Sequence, residues 1–243
     1  MAKDVIRCHH SDTECLLKTS QYILNKYPKG LRSLNLIPFD PLHIKSFIIE
    51  RNPESPVNVE LKMTNVDLLG LSNTTITNIT GLAANFTGRN FLEGFIPKIE
   101  LKGNYSAEGQ VLMLPLTDNI TFRFGFDLHP LVKSGQTFAQ INHIKLQATP
   151  ELVNFKFDGL FHDDKIMEDD VNKLLNDNWL IIYKEMDGSV TKSVSLIIQK
   201  LVNGAFTNIP LGFGSKIHIC KVFINMSIKE IDLSSWKRNE GNK

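Results

Sequence analysis

Residues 167 to 209 form the stretch of this chain that most restricts its fold. Apolar residues recur there at intervals of three and four, the spacing that gives a helix one buried and one solvent-facing side. They are Trp179, Ile182, Tyr183, Met186, Val190, Val194, Ile197, Ile198, Leu201 and Ala205. Acidic residues at 168 to 170 suit the positive end of a helix dipole, and Pro210 prevents continuation. The pattern predicts one continuous helix of about 35 residues, roughly 50 Å long.

A helix of this length limits what the remaining chain can do. A compact domain of 243 residues has a radius of gyration of about 18 Å, so the helix crosses most of it. Either the helix projects beyond the body of the protein, or the rest of the chain wraps around it. Gly188 would permit a bend in the helix or the close approach of another element.

Between residues 42 and 160 the spacing changes from helical to alternating. One parity of a central run holds large apolar residues, namely Ile120, Phe122, Phe124, Phe126 and Leu128. Alternation with one polar face is typical of antiparallel strands. Turn residues, including those at 102–104 and 117–119, separate the runs. We therefore predict a meander of strands of about eight to twelve residues.

Composition excludes several classes of protein. The chain is 42% hydrophobic over 243 residues, which is enough for one or two domains with a core. Its formal net charge is +1 and no basic cluster stands out, so nucleic acid is not an expected partner. No apolar run approaches 18 residues, so we expect no stable membrane insertion.

Cysteines and glycosylation sequons favour secretion. Cys8 and Cys15 are close enough in sequence to form a small disulfide loop in an oxidising compartment, the alternative being two unrelated thiols. Asn-x-Ser/Thr sequons occur at Asn73, Asn78, Asn85, Asn104, Asn119 and Asn225. We predict a secreted, extracellular glycoprotein, although no signal peptide is visible after Met1.

Candidate catalytic and metal-binding groups are few. The chain lacks the Gly-x-Ser-x-Gly, P-loop, His-Glu-x-x-His and Gly-x-Gly-x-x-Gly patterns. His9–His10 and His162–Asp163–Asp164 have the chemistry of metal ligands, but polar loops explain both more simply. Asp40 lies in a Pro-Phe-Asp-Pro connector, where we expect it to cap a turn. We predict no enzyme activity, no metal and no cofactor.

Five short segments occur in a characteristic order. They are Cys8 to Cys15 with six residues between, Lys29–Gly30 after an amphipathic helix, Leu36 to Leu42, Asn176 to Trp179, and Phe206 to Pro210. Together they resemble the takeout and juvenile hormone-binding protein family of insects, over roughly residues 6 to 212. The N-terminal segments are the more specific part, because several unlike residues must coincide.

The resemblance implies a fold of the α+β class. A long curved antiparallel β-sheet is expected to wrap around one long C-terminal α-helix in a TULIP-like super-roll, which buries the apolar sides of both. A single takeout-like lipid-binding domain would span 1–212, with the disulfide loop and a short N-terminal helix at 8–30, the sheet at 42–162 and the helix at 167–209. Residues 213–243 depart from the family pattern, and we expect a divergent, partly disordered extension containing the unpaired Cys220.

The resemblance also implies a carrier function. Between helix and sheet the family has a tunnel for an apolar ligand, such as a juvenile hormone-like terpenoid, a fatty acyl chain or another long-chain lipid. Candidate lining residues on the predicted inward sides are Met113, Phe122, Phe124, Phe126, Phe155, Phe157, Trp179, Tyr183, Met186, Val190 and Val194. We expect Phe122, Phe124 and Phe126 to face Met186 and Val190 across the ligand, although ordinary core packing explains the same pattern.

The sequence is also compatible with two other functions. One is a protein-interaction or signalling module that uses the exterior of the sheet to engage an unidentified receptor. The other is a lipid-acting enzyme, for which the sequence offers no nucleophile and base. A small hydrophobic ligand is the expected partner, and the protein is expected to be a monomer.

Overall fold

The structure is a computed structural model that describes residues 6, 8, 9, 11–31, 36–49, 61–83, 88–106, 111–159, 161, 164–206 and 231–232. Its helices are α1 (Thr13–Lys26), α2 (Lys165–Asp177) and α3 (Trp179–Phe206), with a short 3₁₀ helix at Leu71–Asn73. Its strands are β1 (Leu42–Ile49), β2 (Leu61–Leu69), β3 (Thr75–Thr80), β4 (Arg89–Ser106), β5 (Val111–Lys133), β6 (Gln136–Thr149), β7 (Leu152–Phe157) and β8 (Ile231–Asp232).

Two long central strands organise the sheet. β4 and β5 pair antiparallel along most of their lengths, and β5 alone has 23 residues, about 75 Å when extended. Along the edge that does not pair with β5, β4 pairs with β3 at one end and with β2 at the other. Along the edge that does not pair with β4, β5 pairs with β7 at one end and with β6 at the other. β1 continues the sheet from β2 and carries β8 as a parallel edge strand. The predicted curved sheet is confirmed.

The central strands are longer than the sequence predicted, because residues expected to form turns lie inside them. Gly103 belongs to β4, and Asn119 belongs to β5 with a left-handed φ of 51°. The register of β4 with β5 also shifts where Pro115 lies, at a bulge. Proline and left-handed residues are tolerated at such irregularities, and bulges increase the twist that a rolled sheet requires.

The predicted single helix is interrupted at Asn178. Its side-chain amide donates to the carbonyl of Leu174 at 2.8 Å, and its backbone carbonyl accepts from Ile181 at 3.1 Å. Asn178 thus ends α2 and begins α3, because its amide competes with the backbone for the hydrogen bonds of a regular helix. The long C-terminal helix is therefore α3, with 28 residues. A Cβ on Gly188 would contact nothing within 4 Å, so none of the described elements approaches it closely.

Asparagine side chains join the helices to free edges of the sheet. Asn172 and Asn176 on α2 each bond both the N–H and the carbonyl of one β7 residue, Phe157 and Phe155 respectively, over 2.6–2.9 Å. Asn203 on α3 makes the same pair of bonds to Ile141 of β6, at 2.6 and 2.9 Å. Each side chain takes the place of a neighbouring strand, so the rolled sheet is closed by helices where strand pairing ends.

The N-terminal region is fixed at two points. Cys8 and Cys15 form a disulfide, as expected, and pack with α1 against β3. Asp40 accepts hydrogen bonds from the backbone N–H groups of Gly70 at 3.0 Å and Ser72 at 2.8 Å. The carboxylate therefore organises a turn, in agreement with the prediction.

The predicted extension at 213–243 falls mostly outside the described residues. Ile231 and Asp232 pair parallel to β1, opposite Ile44 and Ser46. Cys220 lies outside the described part of the chain.

Candidate functional site

Two hydrophobic clusters occupy the space between α3 and the inner face of the sheet. The Tyr105 cluster consists of the buried side chains of Leu42, Ile44, Met63, Val66, Tyr105 and Ile197. The Phe126 cluster consists of Phe124, Phe126, Leu128, Ala139 and Ile141. The parity predicted for the central run of β5 is thus the inward one.

Three of the predicted lining residues pack against the Tyr105 cluster. Phe157, Met186 and Val190 are partly buried there, the first on β7 and the others on α3. The rings of Tyr105 and Phe157 meet edge to face with centroids 5.9 Å apart, and Phe155 stacks beside Phe157 at 6.4 Å. Burial raises the pKa of the Tyr105 phenol, and the Glu168 carboxylate adds to the effect.

The three phenylalanines of β5 belong to the other cluster. Phe124 and Phe126 are buried with centroids 5.4 Å apart, whereas Phe122 is partly buried against them. Phe122 also covers Gly94 of β4, where a Cβ would lie 2.7 Å from the ring. Gly94 therefore makes room for an aromatic side chain on the inner face.

The helix presents two inward stripes, where the sequence predicted one. Met186, Val190, Ser193 and Ile197 face the β1–β2 side, and Ser193 donates to the carbonyl of Ile48 at 2.9 Å. Ile198 packs on the Phe126 cluster, and Gln199 donates to the β6 carbonyl of Ile141 at 3.3 Å. Because successive helical residues are rotated by about 100°, adjacent residues contact different parts of a sheet that surrounds the helix.

The contacts place in different clusters the two groups that we expected to face each other across a ligand. Met186 and Val190 pack on the Tyr105 cluster, whereas the phenylalanines 122, 124 and 126 pack with Ile198. Periodicity along one helix identifies its inward residues but does not say which strand each one meets.

The other predicted lining residues occupy different positions. Trp179 and Val194 are half-buried on α3, and Met113 lies in β5, where the structure describes its backbone. The Tyr183 hydroxyl lies 2.7 Å from the Ala148 carbonyl and 3.0 Å from a carboxylate oxygen of Asp187. Burial raises the pKa of Tyr183, and the Asp187 carboxylate raises it further, so the phenol remains neutral at physiological pH.

Many inward apolar side chains remain only partly buried. On the sheet these include Phe122, Leu146 and Phe157, and on the helix they include Met186 and Val190. Side chains in a fully packed interior are close to completely buried. Apolar side chains on both helix and sheet thus keep part of their surface accessible, a property that sequence periodicity does not reveal.

Asp164, one of the residues considered as a metal ligand, has a structural role. Asp164 caps α2 by accepting from the N–H of Met167 at 2.9 Å, whereas His162 and Asp163 lie outside the described residues. Across the described chain, no group of three or more His, Cys, Asp or Glu side chains is arranged to hold a metal ion. Within the same residues, no helix combines the length and apolar character needed to cross a membrane.

The sequons differ in accessibility. Asn73, Asn78 and Asn104 are exposed, while Asn119 is half-buried and donates to Glu151 at 2.6 Å. Asn85 and Asn225 lie outside the described residues.

Known proteins share both the sequence pattern and the fold. Residues 1–213 match the family described as haemolymph juvenile hormone binding protein (JHBP). The chain is 23% identical over 219 residues to the circadian clock-controlled protein daywake of Drosophila melanogaster, and the match covers 84% of each protein. Daywake of Drosophila yakuba is 21% identical over 218 residues, again with 84% of each chain covered. The crystal structure of Epiphyas postvittana Takeout 1 superposes with a TM-score of 0.67 at 16% identity, covering 84% of this chain and 96% of Takeout 1.

Proposed function

Because the chain belongs to the haemolymph juvenile hormone binding protein family, we propose that it is a secreted carrier for a small hydrophobic ligand. The ligand would lie between α3 and the inner face of the sheet. Transfer from water to that interior would be driven by the hydrophobic effect, about 25 cal/mol per Å² of apolar surface buried.

One observation carries this proposal. Apolar side chains on the inward sides of both helix and sheet pack against the two clusters and yet remain only partly buried. Rolled sheets are able to enclose such space when side chains do not fill it, and ligand sites are commonly apolar hollows of this kind. The two α3 stripes would give an elongated ligand contacts with both clusters.

The surroundings favour a long ligand with little charge. Among the described inward groups, the polar atoms of Ser193, Gln199 and Asn203 bond to sheet carbonyls or N–H groups. The hydrocarbon part of a juvenile hormone-like terpenoid or of a fatty acyl chain suits such surroundings, because it needs no hydrogen-bond partner. The Cys8–Cys15 disulfide and the exposed sequon residues Asn73, Asn78 and Asn104 support an extracellular location.

The site is tested by enlarging one inward residue. Val190→Trp should obstruct the interior beside the Tyr105 cluster and abolish displacement binding of a fluorescent fatty acid. Ile181→Trp is the matched control, because Ile181 is 61% exposed on the outer side of the same helix. The control should bind the probe as the parent does, and thermal melting should show both variants folded.

A second pair of variants tests the site even if Val190→Trp does not fold. Phe124→Ala, at a buried position, should behave as a core substitution and cost about 3–5 kcal/mol. Phe122→Ala, at a partly buried position, should cost less stability and weaken probe binding more. Unchanged probe binding in both Val190→Trp and Phe122→Ala would contradict the proposed site. In a separate experiment, mass spectrometry of lipids extracted from the purified protein would identify the ligand class.

A further inference from the structure

The outer face of the sheet contains a hollow centred on Gly125. This residue lies on β5 between Phe91 of β4 and Lys145 of β6, its partners in the strand register. Two residues before Gly125, Arg123 pairs with Glu93 of β4 and Gln147 of β6. Two residues after Gly125, Asp127 pairs with Arg89 of β4. Because glycine has no side chain, the larger neighbours surround a pocket of about 200 Å³ lined by Arg89, Phe91, Arg123, Gly125, Lys145 and Gln147.

The hollow is held open by contacts among its walls. The guanidinium of Arg123 stacks over the Phe91 ring at 4.3 Å, and its Nε donates to Glu93 at 2.9 Å. Arg89 pairs with Asp127 at 3.2 Å. A Cβ on Gly125 would lie 3.2 Å from the Phe91 ring and 3.3 Å from Arg89. These two side chains therefore already approach the Gly125 backbone closely.

Positive charge exceeds negative charge around this hollow. Its cations are Arg89, Arg123 and Lys145, while the adjoining carboxylates are Glu93 and Asp127, each engaged by one arginine. Each arginine keeps guanidinium N–H donors beyond the one used in its ion pair. Lys145 is exposed and has no ion pair or hydrogen bond within the described chain. A ligand that neutralises this excess of positive charge would therefore be an anion.

We propose that the outer hollow binds a small organic carboxylate borne on a flat, apolar stem. The carboxylate would lie between Lys145 and the free N–H donors of the arginines, which match its two oxygens. The stem would lie in the hollow beside the partly buried ring of Phe91. This site is on the opposite face of the sheet from the Phe126 cluster, and it does not depend on the proposed carrier function.

The proposal is tested with sodium benzoate as the probe, by following backbone amide resonances of isotope-labelled protein. All proteins carry Asn78→Gln, because Asn78 donates to Glu93 and a glycan there would adjoin the hollow. Benzoate should shift the amides of residues 91, 125 and 145 in a saturable manner. Benzyl alcohol, which has the same ring but no charge, should not shift them, and acetate should bind more weakly than benzoate.

Substitutions locate the site. Lys145→Gln should weaken benzoate binding about threefold to fivefold, the upper part of the range expected for loss of one exposed ion pair. Lys98→Gln is the matched control, an exposed lysine on β4 outside the hollow, and it should leave binding unchanged. Saturation of the interior with an uncharged fatty acid methyl ester should also leave benzoate binding unchanged.

Several outcomes would overturn the proposal. These are an absence of saturable shifts, equal shifts with benzyl alcohol, equal weakening by Lys145→Gln and Lys98→Gln, or displacement of benzoate by the uncharged ester. The last outcome would place benzoate in the interior and would leave the proposed carrier function intact, so the two ideas fail separately.

Discussion

The asparagine side chains that bind the sheet edges give the sharpest test of how the roll is closed. Asn176 exchanges two hydrogen bonds with Phe155 of β7, at 2.6 and 2.9 Å, and Asn203 does the same with Ile141 of β6. Leucine has nearly the same size but neither donates nor accepts. Asn176→Leu therefore removes both bonds at Phe155 without creating a cavity, and Asn203→Leu removes both asparagine bonds at Ile141, whose carbonyl still accepts from Gln199.

The expected cost follows from the number of bonds lost. A net contribution of about 0.5–1.5 kcal/mol per hydrogen bond gives about 1–3 kcal/mol for each substitution. Water will reach part of each site, since both asparagines are only half-buried, so we expect about 2 kcal/mol for each. The two sites share no partner, so the double variant should lose about 4 kcal/mol.

Chemical denaturation measures the loss of stability, and amide hydrogen exchange locates it. Exchange at Ile141 should accelerate in Asn203→Leu, and exchange at Phe155 should accelerate in Asn176→Leu. Asn25→Leu is the control, because Asn25 is exposed on α1 and accepts one hydrogen bond from Gln21 at 2.8 Å. It should cost less than about 0.5 kcal/mol, as surface substitutions usually do.

A charged replacement separates hydrogen bonding from packing. Asn203→Asp keeps an acceptor for the Ile141 N–H but places a carboxylate against the Ile141 carbonyl. It should be at least as destabilising as leucine at pH 7, and the deficit should shrink as the pH falls and protonation restores a donor. If neither variant changes stability or exchange at Ile141, the idea that these amides substitute for a neighbouring strand is wrong.

Three further predictions concern other parts of the chain. Peptide mapping without reduction should recover Cys8 and Cys15 in one linked fragment, and replacing both by Ala should cost about 2.5 kcal/mol from loss of the loop constraint; free thiols in protein from a secretory host would contradict this. Partial burial alone would raise the pKa of Asp40, but hydrogen bonds from Ser72 and Gly70 outweigh it and lower the pKa. Asp40→Asn should therefore lower the melting temperature at pH 5–7, with a difference that begins to shrink below about pH 4, the unfolded pKa of aspartate, and disappears as the pH falls through the lowered folded pKa; a difference independent of pH would refute the role of its charge. Deleting residues 237–243, which have no apolar pattern, should leave melting temperature and ligand affinity unchanged, whereas a loss of several degrees would show that this segment packs on the body.

Local patterns in the sequence determined which elements form. The three-and-four spacing from Trp179 onwards predicted a long amphipathic helix, and the parity of Ile120 to Leu128 predicted the inner face of β5. The Cys8–Cys15 link was also visible, because the two residues are close in sequence. The two asparagines and the aspartate at 176–178 favour a helix break, because such side chains compete for backbone hydrogen bonds. The apolar periodicity nevertheless predicted one continuous helix.

Tertiary structure decided which of these elements meet, because those contacts join residues far apart in sequence. Asn203 bonds a residue 62 positions away, and Gly125 has Phe91 and Lys145 as its register partners on the neighbouring strands. The register of a rolled sheet depends on every strand pair and bulge before it, so sequence spacing alone does not specify such neighbours. For the same reason, spacing identified inward residues such as Val190 and Phe124, while only the packed fold assigned them to different clusters on either side of the helix.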